Sequence, residues 1–520
     1  MCPRGLALQH PAAAQLLEYS TNGCPVDSGK PWTLAMLEAA ILRGAHPSAR
    51  DQIASRALHT ETLQKVKEGY ARLIPWSDLK ANLPDALKLS PIAAIPHKSR
   101  LFRMILDLSF GVREGTTVHT SVNEATTDEH APLHAMGQLG KVLPRLIYAL
   151  ANLPDDASPV LLAKLDIQDG FWRMVVPETT DYNFAYVLPQ LDPANPIMIV
   201  VPSSLQMGWK HSPPFFCAAS ETGRDVAQRL VQQPIGTLPT HPLEHLMMDG
   251  IEPGLLQPVL AHLDHPSQDE EEKVTSLLEV YVDDFIGLIH ATDPDLVRHY
   301  SRALLHGIHS VFPPPDVTGH HGGDPISRKK MLAGDGVWAV RKEILGWMFD
   351  GITRTIELPP DKFEKILKTL DPAIHRKRIT LSDFRSLTGK LQHASLAVPA
   401  GHSLLAPLHK LANTVTTHWI DLRRHPNIIE ALRDFKVLSK VIATRPTHAR
   451  ELVPGLPSYI GYSDACNTGA GGVWLSGAKN IRPTVWRVAW PEPISSQVKS
   501  PSNPTGTLSI NDLEAAAFVP

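Results

Sequence analysis

The sequence predicts a mixed α+β protein in which short strands come first, a helical segment follows, and strand texture then returns. Three observations carry this expectation. Short apolar runs of strand length recur at 92–95, 102–106, 160–167, 197–201 and 277–289. After Pro359-Pro360 the apolar period lengthens to helical spacing, with Phe363, Ile366, Leu367 and Leu370, then Leu381, Phe384, Leu387 and Leu391. Near Ser458 strand texture resumes in SYIGYSDACNTGAGGVWL. At 520 residues, and at roughly 150 residues per domain, three or four domains are expected.

Residues 1–30 lack periodicity and contain the turn-like Asp27-Ser28-Gly29, so they read as a disordered tail. Pro early, helix formers inside and Gly at the end predict a short helix over 31–44, and a second over 60–73, giving a helical extension at 31–90. The 46 prolines are scattered and read as loop punctuation. Apolar stretches such as 142–153 are broken by Pro144 and Arg145 and fall short of the ~20 residues a membrane helix needs. Gln9 and His10 interrupt the run where a signal peptide needs its apolar core. The four cysteines form no CxxC pair, which argues against a disulfide framework or zinc knuckle. An intracellular, cytoplasmic or nuclear, protein without a membrane partner is expected. The formal charge of −3 does not announce a nucleic-acid binder, but residues 361–450 carry 16 Lys+Arg against 7 Asp+Glu, enough to hold phosphates locally.

The run LLEVYVDDFIGLI at 277–289 sets Asp283 and Asp284 inside an otherwise apolar stretch. Burying both charges in a sheet would be costly. A hairpin avoids the cost, with two apolar strands packed underneath and Asp283-Asp284 at an exposed two-residue turn. Adjacent carboxylates repel, so divalent cations suit such a turn. Taken alone, the run also reads as an ordinary Asp-rich hairpin. A second stretch, AKLDIQDGFWRMVV, places Asp166 at the end of the apolar run 160–165, with Asp169, Gly170 and Phe171 after it. Two-metal phosphoryl transfer requires carboxylates from separate strands to converge on ions about 3.5–4 Å apart, and Asp166 and Asp283 are candidates for that pair.

In this order the motifs resemble a retroelement reverse transcriptase of the right-hand polymerase class, LTR- or DIRS-like, over about residues 91–408. The resemblance implies an α+β fold with an antiparallel palm sheet: fingers and palm at 91–358, a surface insertion at about 220–275 that includes the acidic run HPSQDEEEK, and a helical thumb and connection at 359–454. LDIQDGF resembles the first palm motif, which makes Asp166 a metal ligand and Phe171 the bulky residue beneath the nucleotide sugar that excludes a 2′-hydroxyl. YVDD at 281–284 resembles the paired catalytic aspartates. IPHKSRLFRMILDLS resembles a fingers element with Lys98 and Arg103 on the incoming triphosphate and Arg100 as helper; such cations suit phosphate oxygens. SLQMGWKHSPPFFCAAS resembles the motif that sets Gln206 near the nucleotide, Gly208 at a close backbone approach and Ser212-Pro213 at the start of a helix under the template. Met207, between Gln206 and Gly208, departs from that pattern. SRKKMLAGDGVWAVRKEILGWMFDG resembles the stretch supplying a proton donor to pyrophosphate, Lys330 or else Lys329, and a primer-gripping strand at Leu345-Gly346-Trp347.

YSDACNTGAGGVWL and LSINDLEAAAF resemble the first strand and first helix of a ribonuclease H domain, with Asp464 and Glu514 as metal-binding carboxylates. Residues 455–520 are therefore expected to be an incomplete ribonuclease H-like α/β domain that does not cleave RNA on its own. The implied function is RNA-directed DNA polymerase, with a template-primer duplex of RNA or DNA and dNTP as partners and two Mg²⁺, or Mn²⁺, held by Asp166, Asp283 and Asp284. The alternative is a catalytically inactive, truncated remnant that only binds nucleic acid through its basic segment. A viral RNA polymerase would tolerate the 2′-hydroxyl that Phe171 is expected to exclude. Asp27-Ser28-Gly29 superficially resembles an aspartic protease triplet but lacks apolar strands on both sides.

Overall fold

The computed structural model describes residues 1–97, 101–114, 116–153, 159–256, 276–290, 293–315, 323–398, 401–453, 459–476 and 481–518. The chain divides into two compact units, Met1–Ala449 and Arg450–Pro520, both of mixed helix and antiparallel sheet.

In the first unit the expected N-terminal tail is ordered. A 3₁₀ turn at Gly5–Gln9 and helix α1 (Ala13–Asn22) bury Ala7, Leu16 and Tyr19 in the main core. Tyr19 stands edge-on to Phe215 at 5.2 Å. These residues order through long-range burial, which a scan for local periodicity does not register. Helix α2 (Leu34–Arg43) starts where the Thr33 hydroxyl accepts the Met36 N–H and stops at Gly44, φ +64°. Helix α3 (Gln52–Lys67) is capped by the Asp51 carboxylate on the N–H groups of Ile53 and Ala54. The helix expected at 60–73 therefore begins earlier and ends before Gly69, φ +78°. Residues 71–75 are a strand, because sheet pairing overrides their helical spacing.

The strands that position the site are, in chain order, β1 (Ala71–Pro75), β2 (Ile92–Pro96), β3 (Phe102–Leu106), β4 (Val160–Asp166), β5 (Tyr186–Val187), β6 (Met198–Pro202), β7 (Ser276–Tyr281) and β8 (Asp284–His290). They form antiparallel sheets β1-β6-β5 and β4-β8-β7 and the hairpin β2-β3. The β4-β8-β7 sheet is apolar beneath its charged end, with Leu161, Ala163, Leu165, Leu278, Val280, Phe285 and Ile289 in the main core.

Helix α4 (Ser212–Val231) begins at the expected Ser212-Pro213 and packs on helix α5 (Pro294–Val311). The contact is close: a Cβ on Gly307 would lie 2.5 Å from the Ala227 Cβ. The surface insertion placed at about 220–275 is corrected over its first part. Residues 220–231 are the second half of α4, and Leu238, Leu243 and Met247 are buried in the main core. The acidic run at 265–273 lies outside the described residues.

Helix α6 (Arg328–Leu332) leads to a four-stranded antiparallel sheet of β9 (Arg341–Ile344), β10 (Trp347–Asp350), β11 (Thr355–Glu357) and β12 (Thr447–His448). Helices α7 (Pro360–His375), α8 (Leu381–Ala394), α9 (Ala406–Thr414) and α10 (Pro426–Thr444) lie between β11 and β12. They bury Ile366 and Leu370 of α7 and Phe384, Leu387 and Leu391 of α8, five of the residues whose spacing predicted helices. The second unit is a three-stranded antiparallel sheet, β13 (Tyr459–Cys466), β14 (Gly469–Ser476) and β15 (Thr484–Ala489), with helix α11 (Ile510–Phe518). Its core gathers Ala465, Ala470, Val498, Leu513 and Ala517. Among the described residues no helix is long and apolar enough to cross a membrane.

Gly208 shows how tightly the first unit closes. Its φ is +113°, and a Cβ there would lie 2.1 Å from the Leu106 carbonyl oxygen. That close approach lets the Leu106 N–H reach the Met207 carbonyl at 3.1 Å, and the Asn123 amide reach the Gly208 carbonyl at 2.9 Å. Gly208→Ala is expected to destabilise the protein by about 2 kcal/mol or more in denaturant melts. Gly137→Ala, with nothing within 4 Å of the added Cβ, should change little.

Candidate active site

The apolar run of β4 ends at Asp166, and its register against β8 sets Asp166 directly opposite Asp284, which in turn opposes Tyr281 on β7. Directly opposed residues of an antiparallel pair present their side chains on one face, so the two carboxylates share a face. The two-residue turn joining β7 to β8 is Val282-Asp283, one residue earlier than the expected Asp283-Asp284; Asp284 is the first residue of the strand. Nor is the turn fully exposed: Asp283 and Asp284 are half-buried and Asp166 is only 9% exposed. Val282 takes φ +56°, a conformation that costs a β-branched residue on the order of 1–3 kcal/mol. The Asp283 carbonyl accepts the Ile167 N–H at 3.0 Å and pins the turn to the end of β4.

A third segment completes the site. Pro325 accepts the Gln168 N–H at 2.7 Å and the Ser327 N–H donates to the Asp166 carbonyl at 2.9 Å, so residues 325–327 run along the end of β4. Helix α6 starts next and carries Lys330, whose Nζ donates to Asp166 Oδ1. Of the two expected lysines, Lys330 is the one placed on a carboxylate. Two further groups escaped the sequence reading. Lys164 lies two residues before Asp166, hence on the same strand face, and pairs with Asp335 at 3.7 Å. Period-two spacing from Asp166 is the signal that finds it.

Electrostatics follow from this crowding. Burial, reinforced by the charges of Asp166 and Asp284, pushes the Asp283 carboxyl up to about 6. Burial also raises Asp166, against the opposing pull of Lys330, and raises Asp284, against that of Lys164. Burial works against the Lys330 charge, but its hydrogen bond to Asp166 and the neighbouring carboxylates hold it above its ordinary value. Three hard oxygen donors that repel one another are the donor chemistry Mg²⁺ or Mn²⁺ takes. Among the described residues no three His, Cys, Asp or Glu side chains already stand grouped as a metal cage; Lys330 is the counter-charge that Asp166 meets.

Segment 324–327 is itself held by a directed chain of hydrogen bonds. The Leu243 N–H donates to His241 Nδ1, so the proton of that ring sits on Nε2 and points at His309 Nδ1, 2.9 Å away. His309 therefore carries its proton on Nε2 and donates to Asp324 Oδ1 at 3.1 Å, an oxygen that also accepts the Ile326 N–H at 2.8 Å. Burial, with His309 and His306 adding to it, pushes His241 down to about 3.

Phe171 lies in a 3₁₀ turn, Gly170–Arg173, just past Asp166, edge-on to Phe216 at 5.5 Å. Gln206 is buried, with its amide donating to the Ser204 and Leu205 carbonyls at 3.0 and 3.1 Å, so it is turned onto its own loop. Arg103 is half-buried on β3, and its Nε is enclosed without a hydrogen-bond partner among the described residues. Lys98 and Arg100 lie outside the described residues. Leu345-Gly346 is not strand: φ values of +46° and +86° make it the two-residue turn between β9 and β10. Trp347 is fully buried and stacks on His393 at 5.2 Å. In the second unit Asp464 on β13 and Glu514 on α11 are both exposed.

The raised Asp283 pKa has a definite sign. A carboxyl whose folded pKa of about 6 exceeds its ordinary 3.8 favours folding when protonated, so its ionisation weakens the metal-free protein as pH rises from about 4 to 6. Asp283→Asn is expected to raise metal-free stability at pH 7 by on the order of 1–3 kcal/mol. The gain should vanish below pH ~4, measured by thermal melts with chelator across that range.

No protein-family model matches the chain, and no curated protein matches it. Among solved structures it is similar to "Structure of the foamy viral protease-reverse transcriptase dRH in complex with ds DNA", at 14% identity and TM-score 0.41, covering 96% of this chain and 62% of that one. It is similar also to that protease-reverse transcriptase with double-stranded DNA, at 14% identity and TM-score 0.41, covering 91% of this chain and 71% of that one. A third, with an RNA/DNA hybrid, has 14% identity and TM-score 0.35, covering 81% of this chain and 42% of that one. The chain thus spans less than two thirds of the length of the first and third of these structures.

Proposed function

We propose that this chain is an RNA-directed DNA polymerase of a retroelement, extending a primer 3′-hydroxyl with dNTPs along an RNA or DNA template. The observation that carries this reading is the pairing of Asp166 with Asp284 across β4 and β8, with Asp283 in the adjoining turn and Lys330 against Asp166. The reaction forms a bond from the 3′-oxygen to the α-phosphorus and breaks the bond to pyrophosphate. Asp166, Asp283 and Asp284 would hold two Mg²⁺, which neutralise charge on the triphosphate and favour the ionised 3′-hydroxyl. Lys330 would give a proton to the pyrophosphate. Its ion pair with Asp166 makes it a poorer acid, so that pair has to part before Nζ can donate. Phe171 would limit the space beside the sugar 2′-carbon. Arg103, half-buried on β3, would offer its guanidinium to a phosphate oxygen. The basic residues of 361–450, among them Lys368, Arg376 and Lys390 around one groove of α7 and α8, suit the phosphates of a duplex.

Primer extension on an RNA template with Mg²⁺ and dNTPs tests the reading. Incorporation should fall at least ~100-fold in Asp283→Asn, while Phe171→Ala should gain use of rNTPs relative to dNTPs by on the order of tenfold or more. Folded protein that binds the primer-template and extends nothing would leave the chain as a nucleic-acid-binding remnant.

A further inference from the structure

We propose that Lys65, on an N-terminal helix far from the palm motifs in sequence, is the positioning residue that aims Phe171 and so takes part in selecting deoxyribonucleotides; this rests on the polymerase reading above. Lys65 is 5% exposed. Its Nζ lies 2.8 Å from Asp169 Oδ2 and 3.1 Å from Glu68 Oε2. It also stands over the rings of Tyr70 and Trp172, at 5.3 and 5.5 Å from their centroids. Burying an ammonium this far out of water is costly unless partners of this kind surround it. It touches none of the three metal-binding candidates, yet it is tied to the turn that separates one of them from Phe171.

Asp169 is where β4 gives way to the 3₁₀ turn bearing Phe171, and it does so at φ +54°. An aspartate tolerates that conformation most readily when its side chain bonds its own backbone. Here the carboxylate makes no such cap and is held instead by Lys65, 104 positions upstream. Two further restraints act on the same turn. A Cβ on Gly170 would lie 2.8 Å from the Phe216 ring, so the backbone sits flush on the surface that Phe171 meets edge-on. Arg173 closes the far end, with Nε on the Gln168 carbonyl at 2.8 Å and Nη2 on those of Gly323 and Asp324 at 3.2 and 3.1 Å. With Gly170 seated and Arg173 latched, the freedom left to the turn is rotation about Asp169, and Lys65 removes it. Loss of the Lys65 contact frees Asp169 to leave the left-handed region and lets Phe171 withdraw. A withdrawn ring admits a 2′-hydroxyl.

The test is a double-mutant cycle on sugar selectivity, read as kcat/KM for a dNTP against the matching rNTP with the full chain. Lys65→Met should cut the preference for dNTP about tenfold, through a raised dNTP KM and improved rNTP use with kcat nearly kept. Lys65→Arg should restore most of the preference, and Glu68→Gln, which removes the other acidic partner, should leave it unchanged. In a Phe171→Ala background Lys65→Met should add nothing, because both act through one ring. Should Lys65→Met fail to fold, Asp169→Asn takes its place in the cycle with the same expectations. Unchanged selectivity, or an effect that adds to that of Phe171→Ala, overturns the positioning role while leaving the polymerase reading intact. An active enzyme in which Phe171→Ala leaves selectivity unaltered overturns the gate and this inference together, and a folded wild-type chain that extends nothing overturns all three.

Discussion

The antiparallel pairing of β4 with β8 is the constraint on which the rest of the first unit depends, because its register decides what stands opposite what where the apolar run stops. Beneath that point most pairs are hydrophobic or small, among them Leu165 with Phe285, Ala163 with Gly287 and Leu162 with Leu288, while Lys164 stands opposite Ile286. At it stand Asp166 and Asp284. A slip of one residue would turn Asp166 toward the main core and Leu165 toward the charged face, at a cost of both desolvation and lost burial. The hydrophobic pattern of one sheet therefore holds two carboxylates together, although their mutual repulsion opposes it. Trp338 reinforces the register from behind, since a Cβ at Gly287 would lie 2.6 Å from its ring.

Holding three acids together leaves the charged end of the sheet in need of cations, and the chain supplies two of its own. Lys330 comes from α6 and Lys164 from β4 itself; both act on Asp166 and Asp284, Lys330 most on the first and Lys164 most on the second. Asp283, in the turn, has the charges of Asp166 and Asp284 adding to its burial and is pushed up to about 6. The same turn contains Val282 in a backbone conformation unfavourable for valine. Conformational cost and electrostatic cost thus meet in two adjacent residues, and both are sustained by the well-packed strands on either side.

Much of this was legible in the sequence. The strands bearing Asp166 and the Asp283-Asp284 pair follow from apolar runs of strand length, and the helices after Pro360 from a period of 3.6, signals that hold regardless of distant contacts. The turn was misread by one residue because two aspartates look like the natural turn pair, whereas the ladder takes Asp284 as its first rung. Residues 1–30 and the strand at 71–75 were misread because their order comes from partners more than a hundred residues away, such as Phe215 for Tyr19 and Val201 for Arg72. Lys164 was within reach of strand spacing, but Lys65 was not: nothing in a helix at 52–67 announces that its last turn meets Asp169. Gln206 shows the opposite limit, since its motif suggests a ligand contact while its amide is spent on its own loop.

The chain from Leu243 through His241 and His309 to Asp324 runs in a single direction, and that polarity has a consequence. With the proton of each imidazole committed forward and its free nitrogen already accepting from behind, neither ring has a nitrogen left for another hydrogen bond. Neither ring can turn over or take a new partner without breaking a link. Because the final link fastens the strip of backbone that lies along Asp166, the placement of that strip is set, through two rings, by the loop that presents the Leu243 N–H.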